Sequence, residues 1–277
     1  MIASFEIEPA SDGFSAAIRG LDLATPIDAA ASARVAEAFL AHKVLVFRGQ
    51  HLDVAGFAKA GGIFGRLVEH ALDQYRHPEW PAVSIISNRN PRTGIVDPKG
   101  AARGTGWHTD QSYARTPCKA TALYAVVLPS SGGDTLFVDT ARAYADLAPE
   151  VRVQADRAAA MFSWGGRNPG NAAPLTPEQR VRLPDVVHPL VLEHPETGAK
   201  ALYIDETNAV RVVDTDTEIG EALLARLFAH ATSETYLYRH RWTKGDLVVW
   251  DNRCTAHRAA GGYPPGEERT MYRTQIA

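Results

Sequence analysis

Four times in the chain a histidine stands two residues before an acid: His51/Asp53, His77/Glu79, His108/Asp110 and His194/Glu196. Alternate side chains of a strand point the same way, so such a pair can offer an imidazole and a carboxylate to one metal ion. With a distant histidine added, the set becomes the two-histidine, one-carboxylate face that holds ferrous iron. Its opposite side stays open for oxygen and organic ligands. Local sequence separates the four pairs. Asp53 follows the Arg48-Gly-Gln50 turn and reads as a helix N-cap. Pro78 between His77 and Glu79 marks a loop. His194-Pro-Glu-Thr-Gly198 reads as the polar tip of a hairpin. His108-Thr-Asp110 differs: it follows a glycine-rich approach ending in Trp107 and runs toward the apolar residues after Thr121. The bulky Trp107 argues for partial burial, where an unpaired His and Asp would be costly. Two readings stay open for this pair: metal ligands, or a His–Asp hydrogen bond in a half-buried strand.

The third ligand must come from far along the chain. Trp250-Asp-Asn-Arg-Cys-Thr-Ala-His257 follows an apolar strand, 246–250, and so brings a lone histidine to a strand end. Such a histidine is equally at home on a surface or satisfied in a core. Beyond it lie Arg269 and Arg273. A period of two puts Arg269, Met271 and Arg273 on one face of a terminal strand and Tyr272, Thr274 and Ile276 on the other. Two guanidiniums on one face repel unless anions lie between them, and the guanidinium fork suits carboxylate or sulfonate recognition. Salt bridges to Glu267 or Glu268 are the alternative.

Elements that could position these groups follow from the patterning. Asp28 should cap a helix over 29–42 and Asp53 one over 54–64; a third helix is expected over 141–147. Residues 217–232 have helical periodicity, with Ile219, Leu223, Leu224, Leu227 and Phe228 on one face. Strands are expected over 5–7, 16–20, 43–47, 82–87, 186–192, 201–204, 235–239, 246–250 and 269–276. Two more lie within 121–138 around a Pro129–Gly133 turn. Many short strands with a few helices point to a mainly β fold, an antiparallel sandwich or jelly roll with helical additions. The Pro/Gly-rich stretches 66–106 and 165–184 read as lids or as ordinary surface loops. Arg239-His-Arg241 reads as a solvated charge cluster, and Asn252 or Arg253 as support for His257.

Composition sets the outer limits. The chain has 277 residues, 45% hydrophobic and 22% charged, with a net charge of −3, which fits an ordinary globular protein. There is no basic footprint for nucleic acid. No apolar run approaches the roughly 18–20 residues of a membrane span, and the first residues lack a secretory pattern. The only cysteines, Cys118 and Cys254, read as buried small hydrophobes and suit a reducing cytoplasm.

Taken together, Trp107-His-Thr-Asp110, Gly132-Gly-Asp-Thr135, His188-Pro-Leu-Val191, Leu227-Phe-Ala-His-Ala231, Trp250-Asp-Asn-Arg253 with His257, and Arg269-Thr-Met-Tyr-Arg273 resemble the taurine dioxygenase/2,4-D dioxygenase (TauD/TfdA) family. The motifs run in family order over essentially the whole chain. The resemblance implies a double-stranded β-helix (jelly-roll, cupin-like) core in a single domain over 1–277. It implies an Fe(2+)- and 2-oxoglutarate-dependent dioxygenase that uses O2, forms succinate and CO2, and hydroxylates a small anionic substrate. His108, Asp110 and His257 would bind iron. Thr135 and Arg269 would hold the distal carboxylate of 2-oxoglutarate, and Arg273, His70 and the backbone of Gln111 the substrate anion. Homo-dimers or homo-tetramers are common in the family. The chain departs from the taurine-specific pattern in three places. Asn208 stands where a pocket aromatic is expected, Asp73 where a substrate-contacting tyrosine is, and Gly104 where an asparagine is. These changes point away from taurine itself, and the expected substrate is a small anion such as a sulfonate, a sulfate ester or an aryloxyalkanoate. A non-catalytic jelly-roll module binding a carboxylate, and a zinc hydrolase on the same scaffold, are the competing readings.

Overall fold

A computed structural model of the chain describes residues 5–98, 104–167 and 173–277. β1 (Glu6–Pro9) and β2 (Ser15–Arg19) form a hairpin whose turn is held by the Asp12 carboxylate, which accepts from Phe14 and Ser15 N–H. Asp28 caps α1 (Ala29–His42), and Asp53 caps α2 (Val54–Gly62). Between them lies β3 (Val44–Phe47). β4 (Leu67–Val68), β5 (Ser84–Ser87), β6 (Ala120–Val127) and β7 (Thr135–Asp139) come next. α3 (Thr140–Ala145) and α4 (Pro149–Arg157) lead into β8 (Ala159–Phe162). Then follow α5 (Pro177–Arg182), β9 (Val186–Pro189), β10 (Val191–Glu193), β11 (Lys200–Leu202), β12 (Ala209–Val212) and α6 (Thr217–Ala231). β13 (Leu237–His240), β14 (Leu247–Asp251), β15 (Thr255–Ala259) and β16 (Thr270–Ile276) complete the set.

The strands build one large sheet in the order β1-β2-β3-β14-β6-β16-β4, with β5 also paired to β16. Facing it is the three-stranded sheet β13-β7-β15; β12-β8-β9 and the β10-β11 ribbon are separate. This is the mainly β, jelly-roll architecture that the sequence pattern suggests. Period-two alternation explains how the large sheet is covered on both sides. From β3, Leu45 and Phe47 pack outward under α1 and α2, against Val35, Phe39 and Phe57. Val44 and Val46 point inward with Val248 and Trp250 of β14, Met271 of β16 and Phe137 of β7. Phe47, Phe57 and Phe137 are fully buried, each worth about 1.5–3 kcal/mol of apolar transfer. Such double coverage fixes register firmly, because a one-residue slip would exchange the two faces. That register aims the site residues described below.

Several elements depart from the expectation. The strand expected over 186–192 is two, β9 and β10, broken around the buried Leu190. β8, β12, β15, α4 and α5 were not anticipated from patterning. In α6 the core face is Leu223, Leu224 and Leu227, whereas Ile219 is 65% exposed. Ile219 sits in the first turn beside the buried Gly220, which packs on Val212 of β12. Among the described residues no helix is long and apolar enough to cross a membrane.

Candidate metal centre and its cavity

His108 and His257 are joined by the backbone. The N–H of each donates to the carbonyl of the other, both at 2.9 Å, as an isolated antiparallel bridge. A hydrogen-bonded antiparallel pair puts its two side chains side by side on one face, and the two imidazole rings lie 4.2 Å apart. β15 itself is anchored on β7, with His257 opposite Phe137. Two residues beyond His108, Asp110 returns to the same side; its Oδ2 is 3.7 Å from His257 Nε2. One ligand atom from each of the three groups lies within 4.8 Å of the others.

The surroundings fix how these groups are oriented and charged. His108 Nδ1 is 2.9 Å from the Gly106 carbonyl. A carbonyl only accepts, so Nδ1 carries a proton and Nε2 is the ring atom left to meet a metal. Asp110 Oδ2 accepts from the Thr121 hydroxyl at 2.6 Å, and Asn252 in turn donates to Thr121 at 2.9 Å. The Asn252 side-chain oxygen also accepts from Trp250 Nε1 at 3.0 Å. Burial alone would raise the Asp110 carboxyl. The charges of Arg273, His257 and His108 and the Thr121 hydroxyl outweigh it and hold the group well below the usual carboxylate range. His257 is pushed down to about 3 by burial and by repulsion from His108. Two imidazoles and one carboxylate, already gathered on one side of the cavity, are a donor set that fits a divalent transition metal.

A cavity of about 970 Å³ opens beside this triad. At one end Thr135, which begins β7, and Arg269, just before β16, face into it. Arg269 Nε donates to the Gly133 carbonyl at 3.2 Å. Among the described residues no carboxylate lies within 4 Å of its guanidinium, so the cation is left for an outside anion. Glu268, which could have paired with it, reaches Arg89 instead. Gly132 and Gly133 both have φ of 72°. A Cβ on Gly132 would meet the Gly262 carbonyl at 2.5 Å, so only glycine lets this turn close behind Arg269.

At the other end lie His70, Gln111, Asn208 and Arg273. His70 is buried; its Nδ1 accepts from Leu72 N–H at 3.0 Å, which puts the ring proton on Nε2. Burial, reinforced by Arg273, lowers His70 to about 4. Arg273 Nη1 stands 3.4 Å from Asp110 Oδ1, and among the described residues its Nε has no hydrogen-bond partner. Gln111 has φ of 56°, the turn by which the chain swings away after Asp110, and its side chain donates to Gln275 at 2.7 Å. Asn208 is on the wall, but its amide is committed. Its oxygen accepts from Gly165 N–H at 2.9 Å, and its nitrogen donates to Asp205 at 2.9 Å and Ser112 at 3.2 Å. The aromatic wall comes from elsewhere. Trp164 is tied to the Ala173 carbonyl at 2.8 Å and meets Tyr113 edge-on at 4.8 Å; Tyr75 packs on His70 at 5.2 Å. No periodic signal marks Trp164 or Tyr75; an aromatic residue inside a polar, Pro/Gly-rich stretch was the available clue. Gly104 lines the cavity, whereas Asp73 is exposed and paired with Arg76. Of the two stretches read as lids, 66–106 and 165–184, the described parts contribute cavity residues; 99–103 and 168–172 lie outside the described residues.

His194 does open the hairpin turn between β10 and β11, but its side chain is buried, 3% exposed, with Nε2 3.0 Å from Asp251. Arg253 also grips Asp251, through Nε at 2.8 Å and Nη2 at 2.6 Å. His194, Asp251 and Cys254 could surround an ion, but these bonds already satisfy the carboxylate, and burial pushes the Cys254 thiol up. The cluster pins the β10-β11 ribbon to the turn before β15. In Arg239-His-Arg241 only the arginines are exposed; His240 is fully buried against Asp246.

Burial of neutral histidines makes acid destabilise the metal-free protein. The folded-state values of His70 and His257 lie below the ordinary 6.5, so between about pH 6.5 and 4 the unfolded chain binds more protons. Each group then removes up to about 1.4 kcal/mol of stability per pH unit as pH falls. Asp110, depressed, adds its own loss only below its ordinary value of 3.8. Thermal melts of metal-free protein should therefore drop steadily from pH 7 to 5, and less so for His70→Gln. A flat melting temperature would contradict neutral burial.

Comparison with known proteins places these features. A sequence model of the family described as "Taurine catabolism dioxygenase TauD, TfdA family" matches residues 6–275. An alpha-ketoglutarate-dependent sulfate ester dioxygenase of Pseudomonas putida is 32% identical over 274 residues, covering 93% of this chain and 85% of that one. An alpha-ketoglutarate-dependent 2,4-dichlorophenoxyacetate dioxygenase of Cupriavidus pinatubonensis is 32% identical over 258 residues, 88% of each chain. Among solved structures, AAD-2 in complex with Mn(II) and N-oxalylglycine superposes with a TM-score of 0.81 at 27% identity, covering 99% of this chain and 97% of that one.

Proposed function

The chain belongs to the TauD/TfdA family of Fe(II)- and 2-oxoglutarate-dependent dioxygenases, and from that premise we propose how its residues divide the work and what class of substrate they take. Ferrous iron, when bound, would let O2 couple oxidative decarboxylation of 2-oxoglutarate to succinate and CO2 with hydroxylation of a substrate C–H. His108, Asp110 and His257 are the residues to hold it. The observation that carries this assignment is the reciprocal bridge between His108 and His257, which brings three ligand atoms within 4.8 Å. Arg269 and Thr135 receive the distal carboxylate of 2-oxoglutarate, one by charge and the other by a hydroxyl. Arg273 and the Nε2–H of His70 clamp the substrate's anionic group, so that one C–H is presented toward the metal face. The stretches around 66–106 and 165–184 act as covers that exclude water.

The substrate has an anionic head and an apolar body. Neutral His70 and cationic Arg273 suit a single sulfate, sulfonate or carboxylate. Tyr75, Tyr113 and Trp164 offer aromatic surface beyond it, in a cavity of about 970 Å³ that is roomy for taurine. An organic sulfate ester or an aryloxyalkanoate fits this best. Hydroxylation next to the ester or ether oxygen then yields an adduct that breaks down and releases the leaving group. Two unpaired, buried cysteines agree with a reducing cytoplasm.

A succinate-release screen over alkyl sulfates, aryloxyalkanoates, sulfonates and amino acids tests the assignment. Iron-, oxygen- and 2-oxoglutarate-dependent succinate should rise above background with a sulfate ester or aryloxyalkanoate. Arg273→Gln should raise KM for that substrate about 30-fold or more while leaving KM for 2-oxoglutarate near wild type. Turnover confined to amino acids, or an unchanged KM in the variant, would refute the anion clamp.

A further inference from the structure

The Thr135 hydroxyl is held from behind by a tryptophan that does not line the cavity. Trp242 Nε1–H donates to Thr135 Oγ1 at 3.0 Å. An indole N–H can only donate, whereas a hydroxyl has one proton and two lone pairs. This bond therefore has a single polarity: it occupies a lone pair of Thr135 and leaves the proton free. Among the described residues the hydroxyl makes no other hydrogen bond, and Thr135 faces the cavity. A hydroxyl held as an acceptor on one side is poised as a donor on the other, which is what a carboxylate requires.

The fold holds the indole in place. β13 pairs with β7 so that His240 lies opposite Thr135. The chain leaving β13 thus delivers Trp242, two residues on, to the same neighbourhood. The indole abuts the His240 ring edge-on, 4.4 Å between centroids and 83° between planes. His240 is itself fixed, 3.0 Å from the Tyr238 hydroxyl and 3.2 Å from the Asp246 carboxylate, which Arg48 reaches at 2.5 Å.

We propose that Trp242 is a positioning residue for the distal carboxylate of 2-oxoglutarate, acting through Thr135 by fixing its hydroxyl as a donor into the cavity. The inference rests on the assignment of Thr135 and Arg269 to that carboxylate. Removing the N–H leaves the Thr135 hydroxyl free to turn toward a carbonyl, and the cosubstrate loses selectivity over acids that lack the second carboxylate.

The test is anaerobic binding to the iron-loaded enzyme, followed by calorimetry, of 2-oxoglutarate and of 2-oxopentanoate. The latter has the same chain without the distal carboxylate. Trp242→Phe should weaken 2-oxoglutarate about fivefold, the worth of one ordinary hydrogen bond. It should leave 2-oxopentanoate and ferrous affinity unchanged. In a Thr135→Val background the same change should add nothing. Equal weakening of both ligands, or a full effect in the Thr135→Val background, would overturn the proposal in favour of simple packing. Should Trp242→Phe fail to fold, the benzothiophene analogue of tryptophan at this position keeps the shape and removes only the donor. If Thr135→Val and Arg269→Ala both preserve the preference for 2-oxoglutarate, the cradle assignment itself fails, whatever Trp242 does.

Discussion

Asp110→Ala is expected to abolish tight ferrous binding and to lower succinate formation by about three orders of magnitude or more, roughly 4 kcal/mol of transition-state stabilisation. The carboxylate is the only negative group of the triad, and it also neutralises the nearby Arg273 at 3.4 Å. Removing it leaves two imidazoles and a guanidinium facing a divalent cation. His257→Ala should act as strongly, because the bridge to His108 then carries a single imidazole to the site. Thr121→Val makes a useful contrast. It deletes the 2.6 Å bond to Asp110 Oδ2 without touching a ligand, and supporting contacts of this kind are worth about 10- to 100-fold. Metal analysis and succinate assays on the three variants check the ranking. Full turnover in Asp110→Ala and His257→Ala would mean that the metal is held elsewhere.

Arg269→Ala comes next in size. The guanidinium has no carboxylate of the chain within 4 Å among the described residues, so its partner must arrive with the ligand. Truncating one side of a buried charge-assisted pair costs about 2–5 kcal/mol, which is about 30- to 5,000-fold in the dissociation constant of 2-oxoglutarate. Arg269→Lys should fall between, because it keeps the charge and loses the fork. At saturating 2-oxoglutarate much of kcat should return, since the residues proposed for iron and substrate are untouched. A KM unchanged in Arg269→Ala would remove the residue from the cosubstrate site.

Features that depend on neighbours in the chain were legible from sequence. His108 and Asp110 share a side because they are two apart in extended chain. Asp28 and Asp53 announce their helices by capping, and Arg269 and Arg273, just before and within β16, both face the cavity. Features made by distant partners were not legible. β8, with sequence AAMF, has no alternation of its own and is a strand because β9 and β12 flank it. α4 buries only Val151 and Ala155, too few for a periodic signal. His194 lies in a sequence that reads, correctly, as a polar hairpin tip, yet the partner that buries its ring, Asp251, is 57 residues away. Asn208 stands where an aromatic was expected and instead holds Gly165, next to the Trp164 that supplies the ring. His240 was hidden the same way between two exposed arginines, its burial decided by Asp246 and Trp242.

On the proposed assignment, His108, Asp110 and His257 together bind one ferrous ion next to the Arg269 cradle. An anaerobic titration with ferrous iron and 2-oxoglutarate, followed by visible absorption, reads it directly. The expected result is saturation at one iron per chain, with a charge-transfer band that requires 2-oxoglutarate and is lost in Asp110→Ala. Iron binding that persists in that variant with the band intact, or no band at any iron concentration, would contradict it.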